Sequence, residues 1–419
     1  MSEPRDLPPR AVGAFSPRAV GAFSPRAVGA FPPIPFARPS LGREEEEAVL
    51  AVMRTGWLTT GEVAARFEQE FARFAGCRHA LALCSATAGL HLCLEALGVG
   101  PGTEVITTPY TFAATAEVIR YMGADPLFVD IDRETLNIDP AALRRAMEQR
   151  RRDGRRVSAM IPVHVAGLPC DMAAIGELSR EFAVPVVEDA AHAFPVRAGG
   201  RFVGTFGDAG VYSFYATKPI TTGEGGMVVT DRDDIARRIR LMRLHGIDRD
   251  IWNRYTSAQA AWKYDVVAPG FKYNLTDMAA AIGRVQLMKA DALLERRRGI
   301  ALQYLEAFRD LDGLVPPPAA DGHAWHLFIV RLRGGALTID RDRFIEELQA
   351  RGIGVSVHFI PLHLMSYYRE TYGLRPGDFP AALECYRACL SLPLYPSMTE
   401  GEVDRVVAAV SEVCRRFSR

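Results

Sequence analysis

The chain has 419 residues, 48% hydrophobic and 24% charged, enough apolar material for one large or two medium cores and too much for a disordered chain. Fifty Lys and Arg against fifty Asp and Glu leave a formal net charge of zero, which removes the electrostatic case for nucleic acid or an anionic membrane as main partner and favours a small ligand. Lys218, Lys263, Lys272 and Lys289 are the only lysines, all other basic positions being arginine.

The first 39 residues stand apart. Arg-Ala-Val-Gly-Ala-Phe occurs three times, beginning at Arg10, Arg18 and Arg26, and Pro32-Pro33-Ile34-Pro35 follows. The Pro and Gly content works against helix and sheet, so residues 1–39 are expected to form a flexible arm. From about residue 80, short apolar strands alternate with amphipathic helices. Strands are expected over 80–84, 104–107, 126–131, 159–163 and 184–187, with helices over 87–97, 112–122, 140–151 and 172–182. Such a βα series implies an α/β fold with a mostly parallel sheet covered on both faces. Two further strands, 210–215 and 226–230, flank a Gly-rich turn and lead to a helix over 233–244. A long helical pattern over 277–308 follows. Strands at 327–332 and 354–358 then mix with helices at 341–350, 381–390 and 400–414. The change of pattern suggests a large domain over 40–285 and a smaller α+β domain over 286–419.

No apolar run reaches the roughly 18 residues of a membrane span, and the N-terminus lacks a signal peptide's basic start and apolar block. A cytoplasmic protein is expected. Cys77, Cys84, Cys93, Cys170, Cys385, Cys389 and Cys414 show no metal-ligand spacing and read as buried free thiols, Cys385 and Cys389 lying four apart in a helical pattern. No metal is expected.

Three motifs converge at strand ends, where ligands sit in sheets of this kind. Ser85-Ala86-Thr87-Ala88-Gly89 joins a strand to a helix start; its amides, hydroxyls and helix dipole suit a phosphate, although Ser and Thr are also ordinary caps. Val187-Glu188-Asp189-Ala190-Ala191-His192 ends an apolar strand in carboxylates, which need a cationic partner there; a protein arginine would also serve. Tyr212-Ser213-Phe214-Tyr215-Ala216-Thr217-Lys218 leads into Gly223-Glu224-Gly225-Gly226. A lysine just past a buried strand can have its pKa drawn down and form a Schiff base, which arginine cannot.

Phosphate cradle, carboxylate and lysine together describe what pyridoxal 5'-phosphate needs. Its aldehyde takes Lys218, and Asp189 can hold its pyridine nitrogen protonated, making the ring an electron sink. An aromatic residue should stack on that ring, and Phe112 follows a strand on the same edge.

With Gly56-Trp57-Leu58-Thr59-Thr60-Gly61, Thr108-Pro109-Tyr110-Thr111-Phe112, His245-Gly246, Tyr273-Asn274-Leu275-Thr276-Asp277 and Val357-His358-Phe359-Ile360-Pro361-Leu362 in order along the chain, the sequence resembles the DegT/DnrJ/StrS-type sugar-nucleotide aminotransferases. The resemblance covers residues 40 to about 415 and implies the fold type I architecture of pyridoxal-phosphate enzymes, with a seven-stranded type of sheet. It also implies that Lys218 carries the cofactor and shuttles protons, Asp189 pairs with the pyridine nitrogen, Phe112 stacks and His192 lies nearby. Thr87, Ala88 and Ser213 would bind the phosphate, joined by Asn274 from the other subunit of a homodimer with shared active sites. Tyr110, His358 and the turn around Pro361 would face the sugar nucleotide, His358 and His363 being structural histidines on the alternative view. The implied reaction moves an amino group from an amino acid, glutamate in most of the family, to a keto group of a nucleotide-linked sugar.

His245-Gly246-Ile247-Asp248 with Trp252 and Tyr255, and the 357–362 stretch, most resemble members acting on UDP-4-keto sugars, a dTDP-linked 3- or 4-keto sugar being the rival. Relatives that dehydrate a sugar have histidine in place of the lysine, so Lys218 argues against that activity. A non-catalytic cofactor-binding regulator is the remaining alternative, and the complete set Lys218, Asp189, Ser213 and Thr87 argues against it.

Overall fold

The computed structural model describes residues 32–248 and 264–419. Its central sheet is built from β1 (His79–Leu83), β2 (Glu104–Thr107), β3 (Asp125–Phe128), β4 (Val157–Met160), β5 (Val187–Asp189), β8 (Ala209–Ser213) and β9 (Gly226–Thr230); β6 (Arg197–Ala198) and β7 (Arg201–Phe202) form a separate small hairpin. The strand order is β3-β2-β4-β5-β8-β9-β1, the two halves being joined by parallel bridges Met160↔Val186 and Val163↔Asp189. Every neighbouring pair is parallel except those made by β9, which runs antiparallel to both β8 and β1.

Alternation along the strands explains why both faces are covered. Leu81, Leu83, Val211 and Val228 pack with helices α3 (Ala86–Ala96) and α7 (Asp233–Met242). Ala80, Ala82, Tyr212, Met227 and Val229 face the other way, toward Phe67 and Phe71 of α2 (Glu62–Ala75). Helices α5 (Pro140–Arg152) and α6 (Met172–Phe182) cover the β2–β4 end, started by Asp139 and Asp171, whose side chains accept from Ala141 and Ala174 amides. Such caps satisfy donors that the helix itself leaves unpaired. The remaining helices of this part are α1 (Arg43–Thr55) and α4 (Ala113–Tyr121).

The 32-residue helix α8 (Asp277–Phe308), capped by Thr276, crosses between two cores. Its Ala280, Leu287 and Ala290 pack under the large sheet, whereas Ile300, Tyr304 and Phe308 belong to a second core. That second core is closed by the antiparallel sheet β10 (Leu314–Val315), β11 (Phe328–Leu332) and β12 (Cys389–Leu392), with α9 (Arg341–Ala350) and α12 (Glu400–Arg416). Helices α10 (Ser366–Tyr372) and α11 (Pro380–Ala388) complete this part.

Three expectations need correction. The helix expected over 381–390 stops at Ala388, and Cys389 opens β12, because Arg331↔Cys389 and Ile329↔Ser391 pairing with β11 overrides the helical spacing. The strand expected over 354–358 makes a single bridge, Ser356↔Ser391; the Gly354 amide instead donates to Ile34 O at 2.8 Å. That bond corrects the third expectation as well. From Pro32 onward the supposed arm is docked, with Ile34 fully buried in the second core, since a buried isoleucine and backbone pairing outweigh its Pro-rich composition. The three repeats, Trp252 and Tyr255 lie outside the described residues.

Candidate active site

A cavity of about 640 Å³ opens at the carboxyl ends of the parallel strands. Ser85 and Thr87 reach it from the turn after β1, Phe112 from the turn after β2, Asp189 and His192 from β5, and Ser213 and Lys218 from β8. Because β9 runs backward, its starting end brings Glu224 and Gly225 to the same rim.

Asp189 is buried on the cavity wall and held from behind. Thr115 Oγ1 donates to its Oδ2 at 2.8 Å, the Ala191 amide donates to its Oδ1 at 3.2 Å, and Thr111 Oγ1 lies 2.9 Å from Thr115 Oγ1. Burial raises the Asp189 pKa, while Thr115, Ala191 and Lys218 pull it back. One residue earlier, Glu188 points to the opposite face. It accepts from the Gly204 and Gly207 amides and lies 3.0 Å from His164 Nε2. His164 Nδ1 accepts from the Cys170 amide at 3.0 Å, so the ring's proton sits on Nε2, toward Glu188. This fully buried pair anchors β5 directly beneath Asp189.

Burial draws the Lys218 amine down to about 8, against the attraction of Asp189. Its backbone amide is tied to Tyr215 O at 2.9 Å, and among the described residues no side chain hydrogen-bonds its Nζ. The amine is therefore positioned by the backbone and left available for chemistry.

The anion cradle is a helix start. Ser85 caps α3 by accepting from the Ala88 amide at 3.1 Å. Ala88 is buried off the cavity wall with its N–H so engaged, and the amides of Ala86 and Thr87, on the wall, are the donors left at this end. Gly226 packs against this turn so closely that a Cβ would stand 2.5 Å from the Ser85 carbonyl carbon and 2.6 Å from Ala86 N. Ser213 shares the wall, its Oγ accepting from the Tyr215 amide at 3.3 Å.

A row of rings forms the remaining side. His192 lies 4.5 Å from His326 and stacks on Phe359 at 5.8 Å; Phe359 meets His358 edge-on at 5.2 Å; His358 stacks on Phe36 at 5.4 Å. His192 Nδ1 accepts from the Ala166 amide at 3.3 Å. Burial, then Lys218, lowers His192 well below its ordinary pKa and His358 to about 4, so both are neutral near pH 7. His326 is likewise pushed well down by burial, and among the described residues its Nδ1 has no hydrogen-bond partner. Phe112 is 65% exposed at the rim, leaving its ring free to cover a ligand.

Besides Ala88, the expected residues Tyr110 and Asn274 lie off the wall. Tyr110 is fully buried, its hydroxyl donating to His358 O at 2.8 Å and lying 3.2 Å from Cys389 Sγ, so it props the His358 turn instead of touching a substrate. Asn274 sits beside the 56–61 turn, its Nδ2 donating to Thr60 Oγ1 at 2.6 Å. Sequence reasoning missed Thr115, Phe36 and His326. The four-residue spacing of Thr111 and Thr115 at a helix start, and a histidine just before a buried strand, were the available signals for the first and last.

A model of the DegT/DnrJ/EryC1/StrS aminotransferase family matches residues 39–411. The chain belongs to this family. An uncharacterised protein of Methanocaldococcus jannaschii is 47% identical over 382 residues, covering 91% of this chain and 97% of its own length. The spore coat polysaccharide biosynthesis protein SpsC of Bacillus subtilis is 44% identical over 385 residues, with the same coverages of 91% and 97%. Helicobacter pylori PseC, an aminotransferase of pseudoaminic acid biosynthesis, superposes with a TM-score of 0.84 at 29% identity, over 92% of this chain and 100% of its own. Streptococcus pneumoniae Spr1654 in its PLP form gives 0.82 at 30%, over 92% and 99%. The protein is a fold type I, pyridoxal-phosphate-dependent aminotransferase.

The site fits this cofactor by its donor chemistry. The amides of Ala86 and Thr87, without a hydrogen-bond partner among the described residues, suit the phosphate together with Ser213; Asp189, buried with no cation bonded to it among the described residues, suits the pyridine nitrogen; and Lys218 suits the aldehyde. When bound, the cofactor supplies an electron sink that makes a C–H bond next to the amino group acidic. What the chain supplies is a fixed carboxylate, an amine whose pKa is drawn down to about 8, suited to hold and move a proton, and a wall of neutral imidazoles.

Proposed function

We propose that the protein moves an amino group from glutamate to the keto group of a nucleotide-linked sugar, with a UDP-4-keto sugar as the preferred acceptor. The observation that carries this reading is the meeting of Lys218, Asp189 and His358 in one cavity: a base, the charge that activates the cofactor, and a neutral polar wall suited to an uncharged, hydroxyl-rich acceptor. SpsC, named for spore coat polysaccharide biosynthesis, and PseC, named for pseudoaminic acid biosynthesis, support the sugar class. In the donor stage Lys218 takes the proton from the amino acid's α-carbon; in the acceptor stage it returns one to the sugar carbon. The reading includes a homodimer in which Asn274, away from its own cavity, completes the partner's phosphate site.

Glutamate added to the holoenzyme should bleach the cofactor's absorbance and release 2-oxoglutarate, and UDP-4-keto sugars added next should restore the spectrum. An unmoved spectrum with every amino donor would sink the transaminase reading. Restoration by dTDP-linked 3- or 4-keto sugars alone would replace the preferred acceptor with its rival.

A further inference from the structure

Residues 32–40 bring Phe36 to the cavity from outside the central sheet. Ile34, fully buried among residues of the second core, donates through its amide to Gly352 O and accepts at its carbonyl from the Gly354 amide, each at 2.8 Å. A Cβ on Gly354 would stand 2.7 Å from Phe36 N, so the approach depends on glycine there. Arg405 donates to Pro32 O at 3.0 Å, and the Arg38 guanidinium lies 5.5 Å over the Tyr395 ring. Phe36 is thus anchored on both sides.

What it touches is the His358 imidazole, whose plane is inclined 25° to its own. On its other sides that imidazole is held by Ser391 Oγ, 2.8 Å from Nδ1, and by the edge of Phe359. A neutral imidazole makes one directed hydrogen bond through its remaining nitrogen, and the direction is fixed only while the ring cannot turn. Ser391 sets one point of the ring; a flat neighbour on its face is needed to set the plane.

We infer that Phe36 is a positioning residue for acceptor binding: it holds His358 in the plane from which its free nitrogen meets the sugar nucleotide. The inference rests on the proposed acceptor. Phe36 acts through the His358 ring, which the proposed reading gives to the acceptor and not to the amino donor, so the two half-reactions separate its effect.

The full-length holoenzyme and its Phe36→Ala, Phe36→Leu and Phe36→Tyr variants are compared in each half-reaction. In Phe36→Ala the KM for the keto sugar should rise about tenfold, the size of one weakened hydrogen bond, while the glutamate half-reaction stays within about twofold. Phe36→Tyr, which keeps the plane, should restore the KM; Phe36→Leu, which keeps bulk without it, should not, and it replaces the alanine variant if that fails to fold. A second readout needs no sugar: carbethoxylation of His358, followed by peptide mass, should accelerate several-fold in Phe36→Ala. Equal slowing of both half-reactions without rescue by tyrosine, or unchanged His358 reactivity, overturns the inference. If the wild type aminates no nucleotide-linked keto sugar, it is the proposed function that fails, and His358 reactivity still decides the contact.

Discussion

Lys218 is the one lysine in the first 262 residues of an arginine-rich chain, at a position where a guanidinium could not do the work of the proposed reaction, because it does not give up its proton. Burial, which lowers the amine to about 8, outweighs the pull of Asp189 in the other direction. The neutral amine is the form that attacks an aldehyde. With a pKa of about 8, roughly a tenth of it is neutral at pH 7, against fewer than about one in a thousand at the ordinary value of about 10.4. Cofactor capture by the apoenzyme should therefore speed up as pH rises and level off above a midpoint near 8, as read by stopped-flow absorbance. A rate still climbing beyond pH 10 would show that the site does not depress this amine. The side chains in contiguous strand-end motifs, Lys218, Asp189, His192, Thr87 and Ser213, were legible before the fold, since a motif carries its own spacing. Thr115 and His326 were not, because their meaning comes from neighbours at Asp189 and His192 that only folding supplies.

At the scale of elements, the end of the cavity suited to a phosphate depends on β9 lying flush against the start of α3. Gly226 is paired with Ser213 and Leu83 in the ladder, so it cannot retreat, and an added Cβ would meet backbone atoms of Ser85 and Ala86. Gly226→Ala should cost about 1–3 kcal/mol of stability as overpacking and weaken cofactor binding at least about tenfold by displacing the two amides. Thermal unfolding and a cofactor titration check the two effects, and unaltered cofactor affinity would mean the helix start is not the cradle. The elements with caps and a clear period were readable: Met172–Phe182, Asp277–Phe308 and Arg341–Ala350 fall where the sequence pattern puts them. Those that failed take their hydrogen bonds from distant segments. Cys389–Leu392 becomes a strand because β11 is there to pair with it, and residues 32–40 are ordered because Gly352 and Gly354 receive Ile34. Local propensity carries no record of such partners.

At the scale of the whole molecule, the deciding question is which subunit Asn274 serves. In its own chain it hydrogen-bonds Thr60 and bridges Leu83, and it does not reach the cavity wall. If it completes the partner's site, Lys218→Ala and Asn274→Ala damage different subunits' contributions to the same site. Each homodimeric variant is then defective at both sites. A mixed dimer instead has one site that combines the intact Lys218 of one subunit with the intact Asn274 of the other, and a second site that carries both defects. Random exchange of equal amounts makes half the dimers mixed, so about a quarter of wild-type activity should return on mixing. Where Asn274 acts within its own chain, every site in a mixed dimer keeps one defect and mixing restores nothing. Activity measured before and after subunit exchange therefore separates a shared site from a self-contained one. The separation holds whichever nucleotide or sugar the site accepts, because the glutamate half-reaction alone suffices as the readout.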